Sequence, residues 1–73
     1  MSKLPVVSGR EALRAFKRAG WTLVRQRGSH MILTKEVEEA TLSVPDHKEL
    51  GRGLLRSLIR DAGISVEEFI RHL

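Results

Sequence analysis

From Gly9 to Ala19 apolar residues return at three- and four-residue spacing: Ala12, Leu13, Phe16 and Ala19. That is the period of an amphipathic helix, and Arg10, Arg14, Lys17 and Arg18 fall on its opposite, wet face. Ser8 and Glu11 stand at capping-box spacing before it, and Gly20 follows as a natural C-terminal residue. The period then shortens. Trp21–Arg27 reads as a strand, and Gly28-Ser29 suits a two-residue hairpin turn with glycine first. His30–Lys35 returns as a second strand, and the acidic stretch Glu36–Glu39 reads as another hairpin loop. Ala40–Val44 alternates apolar with hydroxyl residues, predicting a half-buried third strand that Pro45 ends. After the loop Asp46–Gly51 the helical period resumes over Arg52–Ala62, with Leu54, Leu55, Leu58, Ile59 and Ala62 inward and Arg52, Arg56 and Arg60 outward. Gly63 closes that helix. Ser65 and Glu68 predict a second capping box, with Ile64 and Phe69 as its hydrophobic staple, opening a short last helix.

The predicted order is helix, three antiparallel strands, helix, short helix. Packing the helices on one face of a three-stranded antiparallel sheet is the economical way to bury both apolar stripes. The expected fold class is therefore α+β, one domain over residues 1–73, in the element order of double-stranded-RNA-binding domains. Met1–Val7 precedes it as a short lead-in that Leu4-Pro5 makes extended.

Composition sharpens the picture in two ways. Seventy-three residues bury only roughly 60% of the unfolded chain's surface, so the core is thin. Without cysteine, neither disulfides nor thiolate metal centres can staple it. The chain has no apolar run of membrane-spanning or signal-peptide length, so a cytoplasmic protein with no membrane partner is expected. Thirteen Lys and Arg against nine Asp and Glu give +4, and most of the cations are arginines. A balance of that kind suits nucleic acid or an acidic protein partner.

Candidate chemistry narrows quickly. No His-x-x-x-His or Glu-x-x-His spacing sets two metal ligands on one helix face, so no metal and no cofactor are expected. Ser29 adjoins His30, but neighbours in a strand point to opposite faces and do not form a nucleophile–base pair. RNA cleavage asks for less, because the substrate brings its own nucleophile, the 2′-hydroxyl. A base near that group and positive charge near the phosphate suffice, and an unperturbed histidine titrates at about pH 6.5. His30 begins a strand immediately after a tight turn. With a two-residue turn, Arg27 stands directly opposite it on the same face and Arg25 comes next along. His47 and His72 are expected in a loop and on a solvated helix. Only Phe16, Trp21 and Phe69 are aromatic, too few for a sheet that stacks successive bases. Recognition by charge and shape is expected instead. A DNA-binding regulator lacks support, since the second-helix arginines have no base-reading Asn or Gln beside them.

Lys3-Leu4-Pro5…Ser8-Gly9-Arg10-Glu11, Ala19-Gly20-Trp21 and Arg25-Gln26-Arg27-Gly28-Ser29-His30 together resemble the HicA family of toxin mRNA interferases. The resemblance continues through Val44-Pro45…His47-Lys48-Glu49-Leu50, Gly53…Leu55-Arg56-Ser57, Ala62-Gly63-Ile64-Ser65 and Glu67-Glu68-Phe69, nearly the whole chain in order. It implies a double-stranded-RNA-binding-like fold, cleavage of mRNA and neutralisation by a HicB antitoxin. It further implies that His30, the histidine of Gly-Ser-His, is catalytic, with Gly28 and Ser29 as the turn that positions it. Arg25, Arg27 and Lys48 are the expected phosphate-binding residues, and a non-catalytic RNA-binding module is the alternative. Two positions depart from the family pattern. Gly53-Leu54-Leu55 replaces the commoner Gly-Thr-Leu, removing a hydroxyl near the start of the second helix. Trp21 stands where phenylalanine is commoner.

Overall fold

The computed structural model describes residues 3–37 and 40–73; Glu38 and Glu39, half of the expected acidic loop, lie outside them, as do Met1 and Ser2. The elements are α1 (Gly9–Arg18), β1 (Thr22–Arg27), β2 (His30–Thr34), β3 (Thr41–Pro45), α2 (Arg52–Asp61) and α3 (Val66–His72). The three strands form one antiparallel sheet in the order β1-β2-β3. This is the expected α+β, double-stranded-RNA-binding-like order.

The helix ends follow from local chemistry. At the start of α1 both arms of the capping box form: Ser8 N–H donates to Glu11 Oε1 at 2.8 Å, and Glu11 N–H donates to Ser8 Oγ at 3.1 Å. These bonds satisfy amides that have no partner within the helix. Both long helices close with the paired bonds of a Schellman motif. Gly20 N–H reaches Lys17 O and Trp21 N–H reaches Phe16 O; Gly63 N–H reaches Arg60 O and Ile64 N–H reaches Ile59 O. In each case the residue after the glycine, Trp21 or Ile64, folds back against the core. Trp21 is 2% exposed and its indole N–H has no partner among the described residues. The second capping box is corrected. Ser65 Oγ accepts from Glu68 N–H, but the Glu68 carboxylate turns away and stands 3.6 Å from His72 Nε2, one turn on. A partner at i+4 has competed successfully for the side chain. At α2 Gly51 is the N-cap and offers no side-chain bond, while Leu54, the position of the missing hydroxyl, is an exposed residue inside the helix and not its cap.

One irregularity in the sheet places everything else. Arg27 pairs with His30, Gln26 with Met31 and Arg25 with Ile32, but Leu23 pairs with Leu33 and Thr22 with Thr34. Val24 is therefore the extra residue of a β-bulge. An unbroken register would have turned Leu23 outward, because a shift of one residue exchanges the faces. The bulge leaves Val24 exposed instead and keeps both Leu23 inward and the arginines outward.

On the inner face Met31, Leu33, Leu42 and Val44 meet Leu13, Phe16, Leu55, Leu58 and Ile59 of the helices. Helix α3 is more than a tail. Phe69 is fully buried, its ring 5.2 Å from that of Phe16 and tilted by 47°, and Arg18 donates to the His72 carbonyl at 2.6 Å. A thin core is thus completed by one large aromatic from the last seven-residue helix. No helix among the described residues is long and apolar enough to cross a membrane.

Candidate active site

All three helices pack on one side, and no element among the described residues covers the other face of the sheet. His30 opens β2 on that bare face and is exposed. The turn before it follows the expected chemistry. Gly28 has φ +58° and Ser29 does not share a positive φ, so the two-residue loop is of the kind that needs glycine first. Beyond its chain neighbours, no atom of the described residues lies within 4 Å of where a Gly28 side chain would begin. Backbone conformation, not space, calls for glycine there. Gln26 steadies the turn by donating from Nε2 to the Gly28 carbonyl at 3.1 Å.

Of the residues singled out in the sequence, Arg27 lies directly across from His30, and Arg25 occupies the next outward position, across from Ile32. Both are exposed, and neither has an ion-pair partner among the described residues. Lys48 is exposed on the loop after β3, and no hydrogen bond or ion pair ties it to His30. His47, on the same loop, is exposed, while His72 lies with Glu68 on α3.

Sequence reading alone missed the junction that holds this end of the sheet. The Asp46 amide donates to the Ser29 carbonyl at 2.6 Å, fastening the loop after β3 to the hairpin turn. Gly9 N–H donates to the His47 carbonyl at 2.8 Å, and Arg10 meets Asp46 at 3.1 Å, fastening the same loop to the start of α1. Leu50 N–H donates to Val7 O at 2.8 Å and closes the loop's far end. The approach of α1 is so close that a Cβ on Gly9 would lie 1.9 Å from the Pro45 carbonyl oxygen. Since Pro45 is the register partner of His30, the start of α1 buttresses the strand end beside the histidine. The sequence signal was Gly9 itself, a glycine inside a capping box where a better helix former would serve.

Among the described residues no three or more His, Asp or Glu side chains gather where they could hold a metal ion. What the arrangement offers chemically is an imidazole open to solvent, two cations on the same face and a backbone clamp behind them. Proton transfer beside a bound anion is within its reach.

Fold and site together define a small basic α+β domain whose exposed hairpin histidine shares a face with two exposed arginines. A family model described as the HicA toxin of bacterial toxin-antitoxin matches residues 9–64, from α1 to the turn after α2. The chain belongs to the HicA toxin family of toxin–antitoxin systems. No curated protein matches it.

Proposed function

We propose that this chain is the toxin of a type II toxin–antitoxin pair and cuts mRNA as a metal-independent endoribonuclease. The observation that carries the reading is the exposed His30 at the end of a clamped hairpin, in register with Arg27. Neutral His30 takes the proton of a 2′-hydroxyl. The freed oxygen attacks the adjacent phosphorus, the bond to the 5′-oxygen breaks, and that oxygen takes a proton from the imidazolium or from water. A 2′,3′-cyclic phosphate and a 5′-hydroxyl result. Arg27 and Arg25, with Lys48 from the loop, offset charge building on the phosphate, where guanidinium forks match its geometry. Gly28 and Ser29 keep the histidine in place. One acid–base group of this kind contributes about 10²–10⁴-fold, which suits a slow enzyme that is harmful through its targets.

The proposed partner is a HicB-type antitoxin whose carboxylates complement the arginines and cover His30. The test is RNA cleavage by wild type and His30→Ala in the presence of EDTA. Cutting by wild type alone is expected. Equal cutting by both removes His30 from the chemistry, and binding without cutting by either leaves a non-catalytic RNA-binding module.

A further inference from the structure

The register defines nine positions on the bare face: Thr22, Thr34 and Thr41 in one row, Arg25, Ile32 and Ser43 in the next, Arg27, His30 and Pro45 in the last, and of these Pro45 alone is buried. None is acidic, and none is Phe, Tyr or Trp. Four carry hydroxyls, two are arginines, and His30 stands at one end. The helical side differs. Its basic residues are interleaved with Glu11, Asp61 and Glu68, and several are occupied: Arg10 with Asp46, Arg18 with the His72 carbonyl, Arg60 with Ser57 Oγ. The sheet arginines have no such partners among the described residues. Hydroxyls and arginines are the groups that hold phosphate and sugar.

We propose that a single strand of RNA lies across this bare face, its backbone held by Arg25, Arg27 and the hydroxyls of Thr22, Thr34 and Ser43, and ends its track at His30. The inference rests on the reading of His30 as the cutting residue and adds the path and the strandedness of the substrate. Successive outward residues of a strand recur every roughly 6.8 Å, so the rows offer repeated contacts to one extended backbone. The two outer strands lie only roughly 10 Å apart, the width of one chain rather than of a duplex. The chemistry agrees. Attack in line with the departing 5′-oxygen needs a backbone free to rotate, which a regular double helix restrains. With no Phe, Tyr or Trp on the face, bases have only Ile32, the guanidinium planes and the His30 ring to lie on, so contact there is tolerant of sequence.

The experiment measures binding of the full chain carrying His30→Ala to an unstructured oligoribonucleotide, and to the same sequence as a duplex, over a range of salt. Added to it singly are Arg25→Ala and Thr34→Val on the sheet, Arg14→Ala on α1 and Arg56→Ala on α2. Each single-strand phosphate contact contributes about 0.7 to the slope of log affinity against log salt. Arg25→Ala should lose about that much slope and several-fold in affinity, Arg25→Lys should keep most of the slope, and Thr34→Val should weaken binding with the slope intact. The helix variants should bind as before, and the duplex more weakly than the single strand. The proposal is overturned if Arg14→Ala or Arg56→Ala carries the loss, or if duplex binds as tightly. It is overturned too if the sheet variants leave RNA binding unchanged and instead weaken capture of the acidic antitoxin. Because the readout is binding, wild type that never cuts would remove the nuclease reading while the path could still be upheld.

Discussion

The two faces of the sheet are made by the same three strands and do opposite work. The covered face presents Leu23, Met31, Leu33, Leu42 and Val44 to the helices; the bare face presents hydroxyls, Arg25, Arg27 and His30 to solvent. Alternation along each strand separates stability from chemistry residue by residue, and the Val24 bulge keeps the two sets from exchanging. Substitutions on one face should therefore be felt in folding and those on the other in RNA.

The largest effect belongs to the covered side. Phe16→Ala or Phe69→Ala removes half of a buried ring pair and should cost about 3–5 kcal/mol, enough to unfold so small a domain in a urea titration. Arg25→Ala and Thr34→Val on the bare face should stay within about 0.5 kcal/mol of wild type in the same titration. A bare-face variant as destabilising as Phe16→Ala would erase the distinction.

Next come the glycines that join the faces. Gly9→Ala places a methyl against the Pro45 carbonyl and should cost about 1–3 kcal/mol by thermal melt, with cleavage falling more than stability alone explains because the strand end beside His30 moves. Gly28→Ala has room but must hold positive φ, costing about 1–2 kcal/mol, and Gly28→Asn should restore part of it.

Much of this was legible beforehand, for local reasons. The Ser8–Glu11 box, the glycine-terminated helices, the Gly28-Ser29 turn and the Arg27–His30 pairing depend on residues within a few positions of each other. What could not be read is non-local. The clamp of Asp46 on Ser29 and Arg10 joins segments far apart in the chain, and nothing in the short last helix announced that Phe69 completes the core against Phe16. Spacing permits Glu68 to bond back to Ser65, but which of two nearby partners it takes is decided by the packed structure. The bulge did leave a trace, since Leu23-Val24 breaks the alternation of β1.

Smaller effects sharpen the junction. Arg10→Ala breaks an ion pair that is open to solvent on the Arg10 side and should cost no more than about 1 kcal/mol, less at high salt. Glu11 is held below the ordinary glutamate pKa first by the Ser8 backbone N–H and next by the Ser8 hydroxyl; burial opposes this slightly, and Arg14 adds a weak attraction. A carboxylate with a lowered folded-state pKa stabilises above its unfolded pKa, and that contribution is lost as pH falls through the lower folded value. Glu11→Gln should therefore melt below wild type at neutral pH, and the gap should close on acidification through the carboxylate range. A gap independent of pH would show that the charge plays no part.

The most direct test of the central claim is the chemistry of the cut ends. Single-turnover cleavage of an end-labelled transcript, in EDTA, should leave 2′,3′-cyclic phosphate and 5′-hydroxyl termini with wild type and no cut with His30→Ala. A 2′-deoxy residue placed at the cleavage position should block that cut in wild type. Termini bearing a 3′-hydroxyl, or a cut that survives loss of the imidazole or of the 2′-oxygen, would contradict the account.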